Sequence, residues 1–186
     1  MKSIFDFVIE PFGSRYNNSV DVGGKDLIIN TEMSNHQFVN RTAIIKSIPL
    51  AVKTELKVGD IIIVHHNVFR RMLDVKGREK NSRSYVNENT YIVSEDQIYL
   101  YKRDGKWKSL SGYCFVQPMK SDWKYTLNKE KPLVGIVKYG DANIEEGNVV
   151  GFSPGSEYEF IVDNTRLYRV MTKFITIKYE YQGNEE

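Results

Sequence analysis

The chain has 186 residues, of which 41% are hydrophobic and 27% charged, and its formal net charge is +2. This composition is typical of a globular protein and excludes wholesale disorder, and the near-neutral charge gives no long-range attraction to nucleic acid. The single cysteine, Cys114, excludes an intrachain disulfide and a cysteine-based zinc site. Without a signal peptide or the ~20 apolar residues of a transmembrane helix, we expect a soluble, cytoplasmic protein with no membrane partner.

Short β-like runs follow one another along the chain, with turn residues between them. Twelve Tyr and nine Phe, together with many Val, Ile and Thr, favour strands. No window has the three- and four-residue apolar spacing of a helix. In the first half the runs are 5–11, 42–48, 61–65 and 90–101, and the turn Asp104-Gly105 follows them. We therefore predict an all-β fold.

The second half of the chain repeats the order of the first. Residues 7–11 match 114–118, residues 43–46 match 135–138, residues 56–62 match 144–150, and residues 91–93 match 168–170. Four blocks in the same order predict a duplication, although any two β-rich halves share some likeness. We place the boundary within 102–112, which gives a first domain at 1–103 and a shorter second domain at 113–186.

Each half contains several short strands whose edges have to be hidden. Antiparallel strands do this by closing on themselves or by packing face to face, so we predict a small β-barrel in each half. The pair Gly59-Asp60 and its counterpart Gly147-Asn148 suit tight turns, because Gly adopts positive φ and Asp or Asn bonds the local backbone.

Several motifs of the first half resemble the GroES-type (chaperonin-10) co-chaperonins. They are the pair Gly23-Gly24 and the triplet Leu27-Ile28-Ile29 within the long loop 12–41, the turn Val58-Gly59-Asp60 before the apolar run 61–64, and the polar stretch 87–98. The resemblance covers most of residues 5–101 and, more faintly, 113–180. It implies two tandem GroES-like small β-barrels.

The resemblance also implies a function. A member of this family binds and caps a GroEL-type chaperonin ring to assist protein folding, and its mobile loop fastens an apolar triplet to the chaperonin. We therefore expect a homo-oligomeric ring that binds through Gly23, Gly24, Leu27, Ile28 and Ile29 and needs no cofactor. A loop of about 30 residues is far longer than the usual 4–6, which supports a functional role.

This chain departs from the family pattern at three places. Lys25 and Asp26 separate the glycine pair from the triplet, the connection 49–57 is shorter than the family's roof hairpin, and 68–84 is longer than expected and reads as an insertion. Such divergence suits a phage-encoded member, which would act in the host cytoplasm.

Two alternatives remain open at this point. Leu27 to Ile29 could be an interior strand, because Gly23-Gly24 also suits a hairpin turn. The whole protein could instead be a structural or assembly component, for example of a virion, that reuses GroES-like barrels.

Other chemistry-bearing residues give weaker signals. Adjacent side chains on a strand point to opposite faces, so His65 and His66 should not share a metal, and His36 lies in the long loop. We predict no metal site. We predict no catalytic residue either, because phosphate-loop, nucleophile-elbow and zinc-protease motifs are absent and Cys114 lies in an apolar run. We therefore do not expect an enzyme.

A basic run occupies the insertion. It consists of Arg70, Arg71, Lys76, Arg78, Lys80 and Arg83, with Asp74 and Glu79 among them. Such a run is usually a solvated loop, although it could bind an acidic partner. Because few aromatic side chains are interleaved with it, we do not expect nucleic acid as a partner.

Overall fold

The computed structural model describes residues 1–16, 19–28, 38–120, 130–141 and 143–180. Its regular structure consists of β-strands and short 3-10 turns, which confirms the predicted all-β class. The chain divides into two compact units, Met1–Lys106 and Trp107–Glu186. This division falls inside the segment 102–112, where the repeats place it. In the described part of the chain, no helix has the length and apolar character needed to cross a membrane.

The first unit is built on one large antiparallel sheet and two small hairpins. Its strands are β1 (Phe7–Pro11), β2 (Ser19–Asp21), β3 (Asp26–Ile28), β4 (Thr42–Ser47), β5 (Ile61–Val64), β6 (Arg71–Leu73), β7 (Glu79–Asn81), β8 (Tyr85–Asn87), β9 (Thr90–Val93) and β10 (Ile98–Arg103). Six of these strands and β11 (Lys106–Ser109), which spans the division, form a seven-stranded sheet of order β11-β10-β5-β4-β1-β9-β8. Among the described strands, β2 and β3 pair only with each other, and so do β6 and β7.

The second unit contains a six-stranded sheet. Its strands are β12 (Tyr113–Lys120), β13 (Glu130–Tyr139), β14 (Val149–Phe152), β15 (Tyr158–Val162), β16 (Thr165–Met171) and β17 (Ile175–Tyr179), in the spatial order β15-β16-β12-β13-β14-β17. This order is the same as β8-β9-β1-β4-β5-β10 of the first unit. A 3-10 turn precedes the last strand in both cases, at Glu95–Gln97 and at Thr172–Phe174.

The registers of the two sheets also correspond. Pro11 lies opposite Ala43 in the first unit, and Pro118 lies opposite Gly135 in the second. Each central pair of strands has a register irregularity at the same place, after Val8 in one unit and after the corresponding residue of β12 in the other. The blocks that match in sequence therefore occupy matching positions in space.

The same tight turn precedes β5 and β14. Gly59 and Gly147 have φ values of +92° and +85°, the left-handed region that favours glycine. The Gly59 N–H donates to the Ile45 oxygen at 2.9 Å, and the Gly147 N–H donates to the Val137 oxygen at 2.8 Å. These bonds fix each turn against the strand that precedes it.

The cores are built from corresponding positions. The pairs, first unit before second, are Phe7 and Cys114, Ile9 and Val116, Ile45 and Val137, Ile62 and Val150, Val64 and Phe152, and Val93 and Val170. All twelve side chains are buried. The period-2 alternation of each strand places them on one face of its sheet, as burial of a single face requires.

The predicted closure of each half into a small barrel is not seen among the described strands. In the first unit the hydrogen-bonded order ends at β8 and β11, and in the second it ends at β15 and β17, so both sheets are open. Closure would require the two end strands of a sheet to pair with each other. The edge strand β8 is short, which is one way in which proteins protect an open edge.

Candidate functional site

The long loop 12–41 is tied together at its base. The Asn40 side-chain amide donates to the Phe12 carbonyl oxygen at 3.0 Å, across the two ends of the loop. Further into the loop, Tyr16 and Val39 form an isolated antiparallel bridge. Both contacts lie near the start of β4, so the loop leaves the sheet and returns to it at one point.

Within this loop, β2 and β3 form the first hairpin, residues 19–28. Val22 and Lys25 exchange backbone hydrogen bonds of 2.9 and 3.4 Å, so the turn consists of Gly23 and Gly24. Both glycines have positive φ, +64° and +83°, as a two-residue turn of this type requires. The Gly24 N–H also donates to the side chain of Asp21 at 2.8 Å. The glycine pair is therefore a hairpin turn.

The predicted anchor residues Leu27 and Ile28 lie on β3 and are exposed. Their exposed fractions are 58% and 62%. Leu27 lies opposite Val20, so these two side chains share one face of the hairpin, and Ile28 lies on the other face. For these two residues, the alternative of an interior strand does not hold. Ile29, the third predicted anchor, lies outside the described residues.

Arg15 fastens the loop base to the core of the first unit. Its Nε donates to the Phe69 oxygen at 2.6 Å, and its guanidinium lies 5.3 and 5.6 Å from the ring centres of Tyr85 and Tyr91. Arg15 is buried, and its Nη1 and Nη2 have no hydrogen-bond partner among the described residues. Cation–π attraction to the two rings therefore offsets part of the cost of burying this charge. Burial also raises the pKa of Tyr91.

A second contact joins the loop base to the insertion. The N–H of Arg71 donates to the Tyr16 hydroxyl oxygen at 2.7 Å. Arg71 is the first residue of β6, and with β7 this strand forms the second hairpin, residues 71–81. The basic run is therefore an ordered hairpin with its base against the base of the long loop, where the sequence predicted only a loop.

The side chains of the two adjacent histidines are not arranged as the sequence predicted. His65 and His66 follow the end of β5 in a turn, and their rings stack at 4.2 Å between centres, so they do not point to opposite faces. The His65 Nδ1 accepts the Asn67 N–H at 3.1 Å. In the described ranges, no three His, Cys, Asp or Glu side chains are grouped closely enough to hold a metal ion.

Cys114 lies in the core of the second unit. Burial, with a smaller contribution from the charge of Asp141, raises the pKa of its thiol to about 12. A thiol that stays protonated at neutral pH is a poor nucleophile, so Cys114 behaves here as a small core residue.

Two apolar side chains of the first hairpin were not singled out from the sequence. Val20 and Val22 are about half exposed, and they add to the apolar surface around Leu27. Their signal was the alternation Ser19-Val20-Asp21-Val22, which has the period of a strand. Arg15 gave no such signal, because both of its aromatic neighbours are distant in sequence.

No protein-family model and no curated protein matches this chain.

Proposed function

We propose that this protein is a GroES-type co-chaperonin, a ring-forming cap that binds a chaperonin through the first hairpin. The observation that carries the proposal is the exposure of Leu27 and Ile28 on a hairpin that pairs with no other strand of the first unit's sheet. Exposed apolar side chains that lie together often mark an interaction site, and Leu27 shares one face of this hairpin with the half-exposed Val20.

The energetics of the first hairpin suit a weak, repeated contact. An isolated two-stranded hairpin is marginally stable in water, so this hairpin can adjust to a groove on its partner. Burying each aliphatic side chain contributes roughly 1.5–3 kcal/mol before ordering costs are subtracted. A single copy would therefore bind weakly, and a ring of copies would bind tightly through avidity.

The proposal extends to the fold and the assembly. We propose that each unit is a diverged GroES-like domain with an open sheet and that the two arose by duplication, which the matching strand orders and registers support. Ring formation would cover apolar surface that one subunit leaves exposed. In the second unit, Ile136 and Tyr179 lie in line across β13, β14 and β17, and both are about 40% exposed.

Binding to a GroEL-type double-ring chaperonin tests the proposal. The full chain is mixed with the chaperonin and nucleotide, and complexes are separated by size. We expect the wild-type chain to co-elute with the chaperonin and Ile28→Asp to lose binding, because a carboxylate would be desolvated in an apolar groove.

The matched control is Ile161→Asp. Ile161 lies on a hairpin strand of the second unit and is 63% exposed, almost the same as Ile28. This variant should bind as the wild type does. Circular dichroism checks that both variants keep the fold. Equal binding by Ile28→Asp and wild type would overturn the assigned site, and no binding by the wild type would overturn the function.

A further inference from the structure

We propose that the second hairpin, residues 71–81, is an additional docking element that inserts an apolar tip with a basic collar into an acidic-rimmed pocket on the same chaperonin. This inference rests on the proposed function, and it concerns a different surface from the first hairpin.

The tip of the second hairpin is held in one shape. The Asp74 carboxylate accepts the N–H groups of Lys76 at 2.8 Å and Arg78 at 2.9 Å, and it pairs with the Arg78 Nε at 2.9 Å. Gly77 closes the turn with φ of +74°. The pKa of Asp74 is lowered, chiefly by the hydrogen bond from the Arg78 N–H. The hydrogen bonds from the Lys76 N–H and the Arg78 side chain lower it further. A preorganised tip loses little entropy on binding.

This ordered tip presents aliphatic side chains to water. Val75 is fully exposed at the end of the turn, Leu73 is 58% exposed, and Met72 is 40% exposed on the opposite face. A turn selected only for solubility would carry polar residues at these positions. The exposed fraction of Leu73 equals that of the proposed anchor Leu27.

Charge indicates what kind of surface the tip fits. Segment 70–83 has six cationic side chains against two carboxylates, a net charge of +4, although the whole chain carries only +2. The rest of the chain therefore has a net charge of −2. Asp74 pairs with Arg78, and Glu79 lies 3.7 Å from Arg71. Within the described residues, no ion pair involves Lys76 or Lys80. Both cations can face a partner's carboxylates, and the charge of Lys80 also contributes to the lowered pKa of Asp74.

The position of the second hairpin relates it to the first. Its first residue, Arg71, donates a backbone hydrogen bond to the Tyr16 hydroxyl at the base of the long loop. Just before it, the Phe69 carbonyl oxygen accepts a hydrogen bond from the Arg15 Nε. The two hairpins therefore leave the sheet from one shared base. A partner held by the first hairpin would be close to the second, which raises the effective concentration for the second contact.

The corresponding connection of the second unit, all of whose residues are described, has no such element. In the first unit 20 residues, 65–84, connect β5 to β8, and in the second unit 5 residues, 153–157, connect β14 to β15. The sheet thus forms without the insertion, so packing of the strands alone does not require residues 71–81.

The exposed side chains favour a protein over nucleic acid. Single-stranded nucleic acid is bound by aromatic side chains that stack on the bases. Segment 70–83 contains no aromatic residue, and Phe69 just before it is fully buried. Aliphatic side chains between lysines fit an apolar pocket with carboxylates around it.

The test measures binding of the full chain to the double-ring chaperonin with nucleotide, at several salt concentrations. We expect Val75→Asp and Leu73→Asp each to weaken binding about tenfold. The double variant Lys76→Glu with Lys80→Glu should bind more weakly and lose much of its dependence on salt. The matched control Val58→Asp changes an exposed turn residue of the same unit and should bind within about twofold of wild type.

Each outcome separates this inference from the proposed function. If Ile28→Asp loses binding while Val75→Asp and the charge-reversed variant bind as wild type, the second hairpin is not a contact and the first remains one. If the wild type does not bind, both proposals fail. If charge reversal abolishes binding to a single-stranded oligonucleotide but not to the chaperonin, the surface serves nucleic acid and this inference is overturned.

Discussion

The two units build the same sheet around cores of different composition. Phe7 in the first unit corresponds to Cys114 in the second, and Val64 corresponds to Phe152. The volume that the second unit loses at Cys114 is regained at Phe152, in the same buried cluster. Strand order and register are therefore set by the alternation of apolar residues and by the glycine turns, and individual core side chains can be exchanged if total volume is kept.

The units differ more in their buried polar groups. Asp60, in the turn before β5, is buried and pairs with Arg103 through contacts of 3.0 and 2.6 Å. Burial alone would raise the pKa of Asp60, but the hydrogen bonds from Arg103 and the Lys57 N–H outweigh it and lower that pKa. At the corresponding position the second unit has Asn148, whose buried Oδ1 has no hydrogen-bond partner in the described part of the chain. One turn thus tolerates either an ion pair or a neutral amide.

A similar contrast surrounds a pair of corresponding tyrosines. In the first unit Arg15 lies over Tyr91, and neither the outer guanidinium nitrogens nor the Tyr91 hydroxyl has a hydrogen-bond partner among the described residues. In the second unit Arg166 lies over Tyr168, and a single carboxylate, Glu130, binds both the guanidinium at 2.6 Å and the hydroxyl at 2.9 Å. Among the described residues, the first unit leaves polar groups unpaired at the base of the long loop, where the second unit pairs them.

Removal of the Asp60–Arg103 ion pair should produce the largest difference in stability between the two units. Arg103→Ala leaves the Asp60 carboxylate buried without its partner, and we expect the free energy of unfolding of the first unit to fall by about 3 kcal/mol. Asn148→Ala in the second unit should cost much less, because the Asn148 oxygen accepts no hydrogen bond from the residues that the structure describes. Urea unfolding followed by circular dichroism measures both changes.

Fluorescence can assign each loss to its unit. Trp107 lies on β11, which pairs with β10 of the first unit's sheet, so Trp107→Phe is introduced into every protein compared and leaves Trp123, in the second unit, as the chain's one tryptophan. The Arg103→Ala transition should therefore shift in circular dichroism and leave the fluorescence transition in place. A shift of the fluorescence midpoint as large as that in circular dichroism would mean that the two units unfold as one and would contradict this comparison.

A glycine-to-alanine change should give the next largest effect. Ala43 and Gly135 occupy the same register position, but a Cβ on Gly135 would lie 2.5 Å from both the Gln117 oxygen and the Val116 Cγ1. We expect Gly135→Ala to destabilise the second unit by about 2 kcal/mol, measured by fluorescence-detected urea unfolding. The reverse change, Ala43→Gly, should cost the first unit about 1 kcal/mol through chain entropy. Stabilisation by Gly135→Ala would contradict the prediction, because it would mean that the space between β12 and β13 can hold a methyl group at this position.

The smallest expected difference concerns alkaline pH. Because the thiol pKa of Cys114 is raised from 9.0 to about 12, the folded state favours the neutral thiol. Its stabilising contribution is complete below pH 9 and is lost as the pH rises from 9 towards 12. Between pH 8 and pH 10 the second unit should lose about 1 kcal/mol more in the wild type than in Cys114→Val. Equal losses in the two proteins would mean that the thiol is accessible to solvent. The corresponding Phe7 of the first unit does not titrate.

Much of the sheet architecture could be predicted from the sequence, because its signals are local and repeated. The blocks around Phe7 and Cys114 share an alternating pattern, and the Gly59 and Gly147 turns follow at the same place in each half. Register follows from these signals, since a one-residue slip would turn the buried face to water. Open sheets were not foreseen, because closure depends on how distant strands meet.

The surroundings of the candidate site could be predicted only in part. The pair Gly23-Gly24 is a local turn signal, but the exposure of Leu27 depends on whether other strands cover it. Arg15 could not be assigned from the sequence, because its aromatic neighbours Tyr85 and Tyr91 are about seventy residues away and reach it only through the folded sheet. The second hairpin was hidden for a different reason, since charges dominate its composition and conceal its alternation.

The close approach at Gly135 has a consequence for how a tandem protein avoids mispairing. Strands with equal registers could in principle exchange partners during synthesis, and such exchange is a common route to misfolded tandem proteins. If β12 paired with β4 at the spacing that it keeps to β13, the methyl group of Ala43 would take the place of a Cβ on Gly135, which would lie 2.5 Å from the Gln117 oxygen. The carbon atom that Gly135 lacks would therefore disfavour pairing of β12 with the earlier copy.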